Sequence, residues 1–376
     1  WNKDHLVMAN VQGIGGDSTA AQSSIILPFP DDNTMFYIFA TEEVYGDFTF
    51  NLKMSIVDMK KDTARGQVLV KNIPIIECST ERVTASGFGG TPWLLAHEYG
   101  NNNFRAYQIN TNGVIGAIHS SAGEPHVFQS EPRATGYMKF SPAGDLVAVV
   151  VPGSPNYIDL LNFDLTTGQV SNSRLIDIEE AGEAYGLEFS GDGLKLYVTT
   201  TGVNSKLIQY DLDSINSQNP AADIQATKFD GYGATLPGYG ALQRGPNGVI
   251  YLAIDGQTQI GSISSPGGND LTASYQETNT DLGGRTSRLG LPNFTQQITA
   301  APQQPGITTE VACAGQPTSF TAVGRDSSIE TYSWDFGDTT GVVTDQNPQH
   351  TYLNPGTYIV QLTLSNRCDM DSVLRD

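Results

Sequence analysis

Charged residues are scarce in this chain of 376 residues, and basic residues are scarcest of all. Only 16% of the residues are charged, whereas roughly 25% are charged in a typical soluble domain. The 20 Lys and Arg stand against 40 Asp and Glu, which gives a formal net charge of −20. Nucleic acids and anionic membranes are bound through clustered Lys and Arg. We therefore expect no nucleic-acid partner.

Long apolar runs and helix-forming residues are also in short supply. The longest apolar run, Leu146–Val151, is far shorter than the ~18 residues that a spanning helix needs, so we expect no direct membrane insertion. The 40 Gly, 19 Pro and 16 Tyr favour strands joined by tight turns. The composition predicts an all-β protein.

Recognisable catalytic motifs are missing. The sequence has no GxSxG elbow, HExxH pair, P-loop, GxGxxG or EF-hand loop, and we expect no enzyme and no cofactor. Asp211 and Asp213 offer oxygen ligands, but the glycine and the twelfth-position acid of a calcium loop are absent, so at most weak Ca²⁺ binding is expected.

Cysteines are few, and so are the features of an export signal. Cys78, Cys313 and Cys368 are too few for a small disulfide scaffold, and none has CxxC spacing. The chain begins at Trp1 without an initiator Met, a basic segment or an apolar segment. We treat it as a fragment.

What the chain does contain is a repeating unit of short strands separated by Pro, Gly and Asp turns. The clearest copies begin at residues 140–144, 189–193 and 244–248, and corresponding positions are 49 residues (Ser141 to Ser190) and 55 residues (Ser190 to Gly245) apart. Repeats of about 40 to 50 residues are typical of propeller blades, and a ring of sheets lets each sheet cover its neighbour. The alternative is a large sandwich or jelly roll.

The repeats suggest the domain organisation. Five units are visible between residues 25 and 265, residues 1–24 resemble the end of an earlier blade, and residues 288–299 resemble a strand that closes the ring. We predict a propeller of six or seven blades, the first truncated, over residues 1–298. A linker over 299–310 and a compact β-sandwich over 311–376, with Trp334 as core anchor, would follow.

Three motifs in the second domain carry a family resemblance. They are Trp334-Asp-Phe-Gly-Asp338, His350-Thr-Tyr352 and Pro355-Gly-Thr-Tyr358. Their order and spacing resemble the PKD (polycystic kidney disease) domain, an immunoglobulin-like module. One departure is Thr339-Thr340 after Asp338, where the family often has another Gly.

The upstream region resembles the propeller that precedes PKD repeats in large surface proteins of Bacteroidetes. The matching segments are residues 1–5, 22–26, 55–59, 239–248 and 290–294. The resemblance implies a secreted or cell-surface protein of the type IX secretion or gliding motility class. In an exported protein Cys313 and Cys368 would pair as a disulfide, and Cys78 would remain as a small buried hydrophobe.

Two sets of residues occupy equivalent positions in three repeats. Period-2 alternation would send one set into the packing between blades and the other toward the ring axis. The polar set is Lys139, Glu188 and Gln243, and the apolar set is Met138, Leu187 and Leu242.

Aromatic and titratable residues near these strands complete the predicted ligand site. Tyr137, Tyr185 and Tyr239 lie at or near the starts of the same strands and would form a platform for a sugar or peptide, unless they only seal blade edges. His97 and Glu98 end a blade strand and would face the funnel, unless they are only solvated or hydrogen-bonded.

We interpret the chain as a non-enzymatic extracellular protein acting in adhesion or ligand binding, with the propeller as head and the PKD domain as spacer. Its expected partners are a polysaccharide or protein ligand at a surface, other copies of itself or other cell-envelope proteins. One alternative is a protomer of an extracellular filament or appendage. A second is a propeller hydrolase or lyase acting on polysaccharide.

Overall fold

The computed structural model describes most of the chain in two units. The described residues are 4, 6–44, 51–87, 91–126, 133–178, 182–202, 204–212, 225–230, 238–268, 274–295, 306–309, 314–323, 331–365 and 370–375. Contacts divide the chain into Trp1–Thr299 and Ala300–Asp376. Over these residues, no helix is long and apolar enough to span a bilayer.

The described residues of the first unit form five four-stranded antiparallel sheets, each built from consecutive strands. The first sheet is β1 (Ser24–Phe29), β2 (Asp32–Ala40), β3 (Leu52–Asp58) and β4 (Gln67–Ile76). The second is β5 (Ser79–Ala85), β6 (Trp93–Glu98), β7 (Asn103–Asn110) and β8 (Gly113–Ser121). The third is β9 (Met138–Phe140), β10 (Leu146–Val151), β11 (Asn156–Phe163) and β12 (Val170–Ile178). The fourth is β13 (Glu183–Phe189), β14 (Lys195–Thr201), β15 (Lys206–Asp211) and β16 (Gln225–Asp230). The fifth is β17 (Tyr239–Arg244), β18 (Ile250–Ile254), β19 (Gln259–Ile263) and β20 (Tyr275–Asp281). A short turn, α1 (Lys61–Ala64), joins β3 to β4.

The first strands of successive sheets are neighbours. β5 contacts β1 and β9, and β13 contacts β9 and β17. This is the arrangement of propeller blades, each of which presents its first strand to the centre. The all-β propeller prediction is confirmed, while the number of six or seven blades stays a prediction, because the described residues form five sheets.

The repeated turns fold alike because each has glycine where the backbone is left-handed. Gly144, Gly193 and Gly248 have φ of 77°, 76° and 79°, values that residues with a side chain rarely adopt. Each of these glycines donates its N–H to the carbonyl three residues earlier, at 2.9 to 3.0 Å. The turn therefore joins the first and second strands of three blades in the same way.

The core lies between the blades, as β10 shows. Val147, Val149 and Val151 pack with β9 in one apolar cluster, whereas Ala148 and Val150 pack in another, with residues of β13 and β14. Both faces of β10 are therefore covered, which explains why this strand is an uninterrupted apolar run.

The ends of the first unit differ from the prediction. Residues 288–295, the described part of the predicted closing strand, form no strand. Pro292 has no N–H to donate to a ladder. Leu289 nevertheless accepts a hydrogen bond from the Ala241 N–H of β17, at 2.7 Å. Among described residues before β1, only an isolated bridge of Ala9 with Gln67 is found.

The second unit is a two-sheet sandwich. One sheet has the order β21 (Gly306–Thr309), β22 (Pro317–Val323), β25 (Gln349–Thr351), and the other β24 (Val342–Val343), β23 (Thr331–Asp335), β26 (Val360–Ser365), β27 (Met370–Arg375). Trp334 is fully buried among the aromatic rings of Phe320 and Phe336. Its predicted role as core anchor is confirmed.

Two further expectations need comment. Residues 306–309, predicted as linker, form β21 because they pair with β22. The prediction that Cys78 is buried is wrong: it lies exposed in the bend between β4 and β5, on neither sheet face. Cys313 and Cys368 lie outside the described residues, so their pairing stays a prediction.

Candidate functional site

The polar set of the repeats converges in space. Lys139 on β9, Glu188 on β13 and Gln243 on β17 come from three successive blades. The Lys139 Nζ donates to Gln243 Oε1 at 2.7 Å and lies 3.7 Å from Glu188 Oε2. The matching apolar residues, Met138, Leu187 and Leu242, are buried in three different apolar clusters. The predicted separation of the two sets is confirmed.

Asn293 joins this group from outside the repeats. Its Oδ1 accepts from Lys139 Nζ at 3.2 Å, and its Nδ2 donates to the Val83 carbonyl of β5 at 3.0 Å. The neighbouring Phe294 N–H donates to Gln243 Oε1 at 3.3 Å. We call Lys139, Glu188, Gln243 and Asn293 the axial polar cluster. Repeat alignment missed Asn293 because it lies outside the aligned turns and strands.

The two charged residues of the axial polar cluster are closed to solvent, whereas Asn293 is half-buried. The side chains of Lys139 and Glu188 have 0% exposure. Desolvation lowers the pKa of Lys139, and the negative charge of Glu188 opposes that shift. Both Glu188 oxygens also accept backbone N–H groups, from Phe189 and Arg244, each at 3.0 Å. A buried charge pair is tolerated when such additional bonds satisfy it, so the cluster is suited to holding three blades in register.

The predicted tyrosine platform is mostly buried. Tyr137 and Tyr239 are 1% and 2% exposed, and only Tyr185 is half-buried. The rings of Tyr137 and Tyr185 are 5.6 Å apart, and Tyr239 packs edge-on against Tyr275 at 6.3 Å. Burial raises the pKa of Tyr185 and of Tyr239 to about 12. Tyr137 and Tyr239 therefore do not form an exposed rim. Their burial agrees with the alternative in which they seal the edges of the blades.

His97 and Glu98 point into different surroundings. The Glu98 carboxylate is half-buried and accepts hydrogen bonds from Arg105, Asn101 and Asn103. His97 is fully buried, and its ring stacks on that of His126 at 3.8 Å. The two side chains point in opposite directions because successive residues of a strand alternate between its two faces. The expectation that both face a funnel is wrong for His97.

His97 belongs to a buried group that sequence analysis did not find. Arg82 on β5 donates through Nη2 to the carbonyls of Arg133, Thr135 and Val150, and its Nη1 lies 3.2 Å from His126 Nδ1. We call Arg82, His97 and His126 the arginine–histidine cluster. These residues do not recur between blades, so no sequence pattern connects them.

Desolvation dominates the electrostatics of the arginine–histidine cluster. It lowers the pKa of Arg82 to about 10 and that of His97 to about 3. The pKa of His126 shifts in the same direction, because burial opposes its protonation and so do His97, Arg82 and Arg133. The two imidazoles are therefore neutral at pH 7, and Arg82 carries the positive charge.

The calcium expectation has little support in the described residues. No three His, Cys, Asp or Glu side chains in that part of the chain form a group able to hold a metal. Asp211 accepts a hydrogen bond from Lys195 Nζ at 2.6 Å. Asp213 lies outside the described residues.

Comparison with known proteins identifies the second domain. The family model described as "PKD domain" matches residues 299–375. No curated protein matches the chain.

Solved structures resemble the chain only distantly. A candidate 6-phosphogluconolactonase from Bacteroides uniformis is 16% identical with a TM-score of 0.46, covering 90% of this chain and 87% of that one. The periplasmic gluconolactonase of Pseudomonas aeruginosa is 14% identical with a TM-score of 0.43, covering 91% and 98%. Sqt1 from Chaetomium thermophilum is 12% identical with a TM-score of 0.42, covering 92% and 80%. No functional argument rests on these similarities.

Proposed function

We propose that this protein is a non-enzymatic adhesion or ligand-binding protein, in which the propeller is the binding head and the PKD domain a spacer. The observation that carries the proposal is the burial of Lys139 and Glu188, the charged pair of the axial polar cluster. Lys139 and Glu188 are the titratable residues that the repeats bring together, and both are held by protein partners and closed to solvent. We infer that groups so placed hold the blades in register rather than contact a substrate.

We further propose that the protein acts outside the cell, as an exported surface protein of the Bacteroidetes type that uses type IX secretion or gliding-associated anchoring. The sequence motifs of both domains support this location, together with the PKD match over residues 299–375. A surface with few charges and a net charge of −20 suits uncharged polymers better than phosphate-rich ones.

The test is binding of the purified chain to glycan arrays and to polysaccharide-coated and cell surfaces. We expect retention on at least one surface, little weakened between 50 mM and 500 mM NaCl, because binding of an uncharged polymer does not depend on charge attraction that salt would screen. A chain with Lys139→Met and Glu188→Leu together is the matched variant. If these residues are structural, the folded double variant should bind as the parent does.

Other outcomes would favour the alternatives. Ordered polymers in electron micrographs of the purified protein would favour the filament protomer. Turnover of a polysaccharide that the double variant lacks would favour a hydrolase or lyase. Failure to bind any surface, glycan or protein would contradict the proposal itself.

A further inference from the structure

A cavity lies at one end of the third sheet, away from the axial polar cluster. It has a volume of about 320 Å³. It lies where the turn between β9 and β10 meets the ends of β11 and β12. Ligand sites typically run from about 300 to 1,000 Å³, so this cavity has room for one small ring rather than a long polymer. Its polar lining is Asp145, Asn162, Asp164, Ser171 and Arg174.

The polar lining combines acceptors and donors. Asp145 and Asp164 supply carboxylate oxygens, Arg174 supplies N–H donors, and the Ser171 hydroxyl can do either. Leu146 and Phe163 add apolar surface. Sugar hydroxyls both donate and accept, and sugar rings also have apolar C–H faces, so a mixed lining of this kind complements them.

Several of these groups are already held in place. Asp164 Oδ1 accepts the N–H groups of Thr166 and Thr167 at 2.8 and 3.3 Å, and these bonds lower the Asp164 pKa, so it is an ionised acceptor at neutral pH. Asp145 Oδ1 accepts from the Ser141 hydroxyl at 2.9 Å. A carboxylate has about four acceptor positions, so both retain capacity for a ligand.

Arg174 and its partner Asn162 retain hydrogen-bond donors for a ligand. Its Nη2 donates to Asn162 Oδ1 at 2.6 Å, which occupies the amide oxygen and leaves Asn162 with N–H groups to offer. The buried Arg174 Nε has no hydrogen-bond partner in the described part of the chain. Because this nitrogen is closed to solvent, the Arg174 donors that remain for a ligand are those of its two terminal nitrogens.

We propose that this cavity binds a neutral sugar unit. Asp145 and Asp164 accept hydrogen bonds from its hydroxyl groups, and Arg174 and Asn162 donate hydrogen bonds to its oxygens. Two carboxylates against one guanidinium disfavour an anionic ligand. The proposal deepens the proposed function and depends on it, since it assigns the ligand class and the place on the head.

Saturation-transfer NMR on the full chain tests the site with four probes. These are methyl α-D-glucopyranoside and methyl β-D-galactopyranoside as neutral sugars, D-galacturonate as the anion and D-glucosamine as the cation. We expect at least one neutral glycoside to bind and D-galacturonate not to bind. D-glucosamine binding alone would overturn the proposal, because it would show recognition of an amine.

Variants locate the binding. Arg174→Met should weaken neutral-sugar binding at least about tenfold, because it removes the charged donors. Asp164→Asn should weaken it several-fold, because Asn retains an oxygen for the turn but lacks the charge. Asp177→Asn, an exposed acid of the same strand as Arg174, is the control and should bind as the parent does. If Arg174→Met does not fold, Asp164→Asn decides.

The outcomes separate this proposal from the proposed function. If the parent binds a glycan and folded Arg174→Met and Asp164→Asn bind it equally well, the cavity is the wrong site while the binding function stands. If the parent binds surfaces but no neutral sugar in solution, the ligand class is wrong. If the parent binds nothing in either assay, both proposals fail.

Discussion

The two fully buried cations among the described propeller residues, Lys139 and Arg82, are stabilised in different ways. Lys139 faces a carboxylate, Glu188, and two amide oxygens. Arg82 donates mainly to backbone carbonyls, and its closest described side-chain partner is neutral His126. A compact ammonium needs a nearby opposite charge, whereas a planar guanidinium spreads its charge over several neutral acceptors. We therefore expect the loss of Lys139 to cost more unfolding free energy than the loss of Arg82.

The largest effect is expected at Lys139. Lys139→Met leaves the buried Glu188 without its cation, a change that typically costs about 3–5 kcal/mol of unfolding free energy. Urea denaturation measures it. The control is Lys60→Met, whose side chain is 65% exposed in its pair with Asp32 and should cost less than about 1 kcal/mol. Equal losses would contradict the comparison.

The double variant at Lys139 and Glu188 tests whether the two charges are energetically coupled. Lys139→Met with Glu188→Leu removes both charges, and replacing a buried pair by apolar groups is often close to neutral. We therefore expect it to be at least about 2 kcal/mol more stable than Lys139→Met alone. A double variant no more stable than the single one would mean that the pair is not coupled.

Arg82→Met should cost less than Lys139→Met. It removes hydrogen bonds to three carbonyls, at about 1 kcal/mol each, and the buried Glu81 that interacts with Arg82 can take up a proton, because burial raises its pKa to about 7. We expect about 2–3 kcal/mol in urea denaturation. Arg65→Met is the control, since Arg65 is 48% exposed in its pair with Asp4. A loss above that of Lys139→Met would show that Arg82 has a charged partner.

Gln243→Leu should weaken the axial polar cluster without removing its charge pair. Lys139 would lose one acceptor and keep Glu188 and Asn293. Hydrogen bonds to charged groups contribute about 1.5–3 kcal/mol, and we expect the low end of that range in urea denaturation. A loss as large as that of Lys139→Met would contradict the primary role of Glu188.

The last expected effect is a pH dependence of stability that comes from the arginine–histidine cluster. The pKa of His97 is about 3 in the folded chain and about 6.5 when unfolded. Between these values the unfolded chain binds a proton that the folded chain does not, so stability falls as the pH drops from 6.5. The urea midpoint, measured from pH 7 to pH 4, should fall less steeply in His97→Asn than in the parent.

In the parent and in His97→Asn alike, two carboxyl groups change the stability with pH in the direction opposite to that of His97. Burial raises the pKa of Glu81 to about 7 and that of Asp159 to about 6. The folded chain protonates these groups first, so each stabilises the fold as the pH falls through its folded pKa. The difference between His97→Asn and the parent isolates the histidine. Identical slopes would mean that His97 is not the neutral buried group described here.

Features that recur between blades could be predicted from the sequence, whereas contacts that occur only once could not. The turns at Gly144, Gly193 and Gly248 and the alternation of polar and apolar residues recur, so both the blades and the convergence of Lys139 with Gln243 could be predicted. Burial of that convergence depends on unrepeated contacts such as Asn293, and the arginine–histidine cluster joins residues 44 positions apart. Such contacts follow from tertiary packing alone.

The long hydrogen bonds of the centre also bear on how the chain folds. The Gln22 amide bonds the backbone of Met138 across 116 residues, and Asn293 reaches Val83 across 210. Contacts so distant in sequence close large loops before they stabilise anything, which slows folding. During synthesis, the Val83 carbonyl of the second blade therefore gains this partner only after residue 293 has left the ribosome, and the early blades depend meanwhile on the hydrogen bonds of their own sheets.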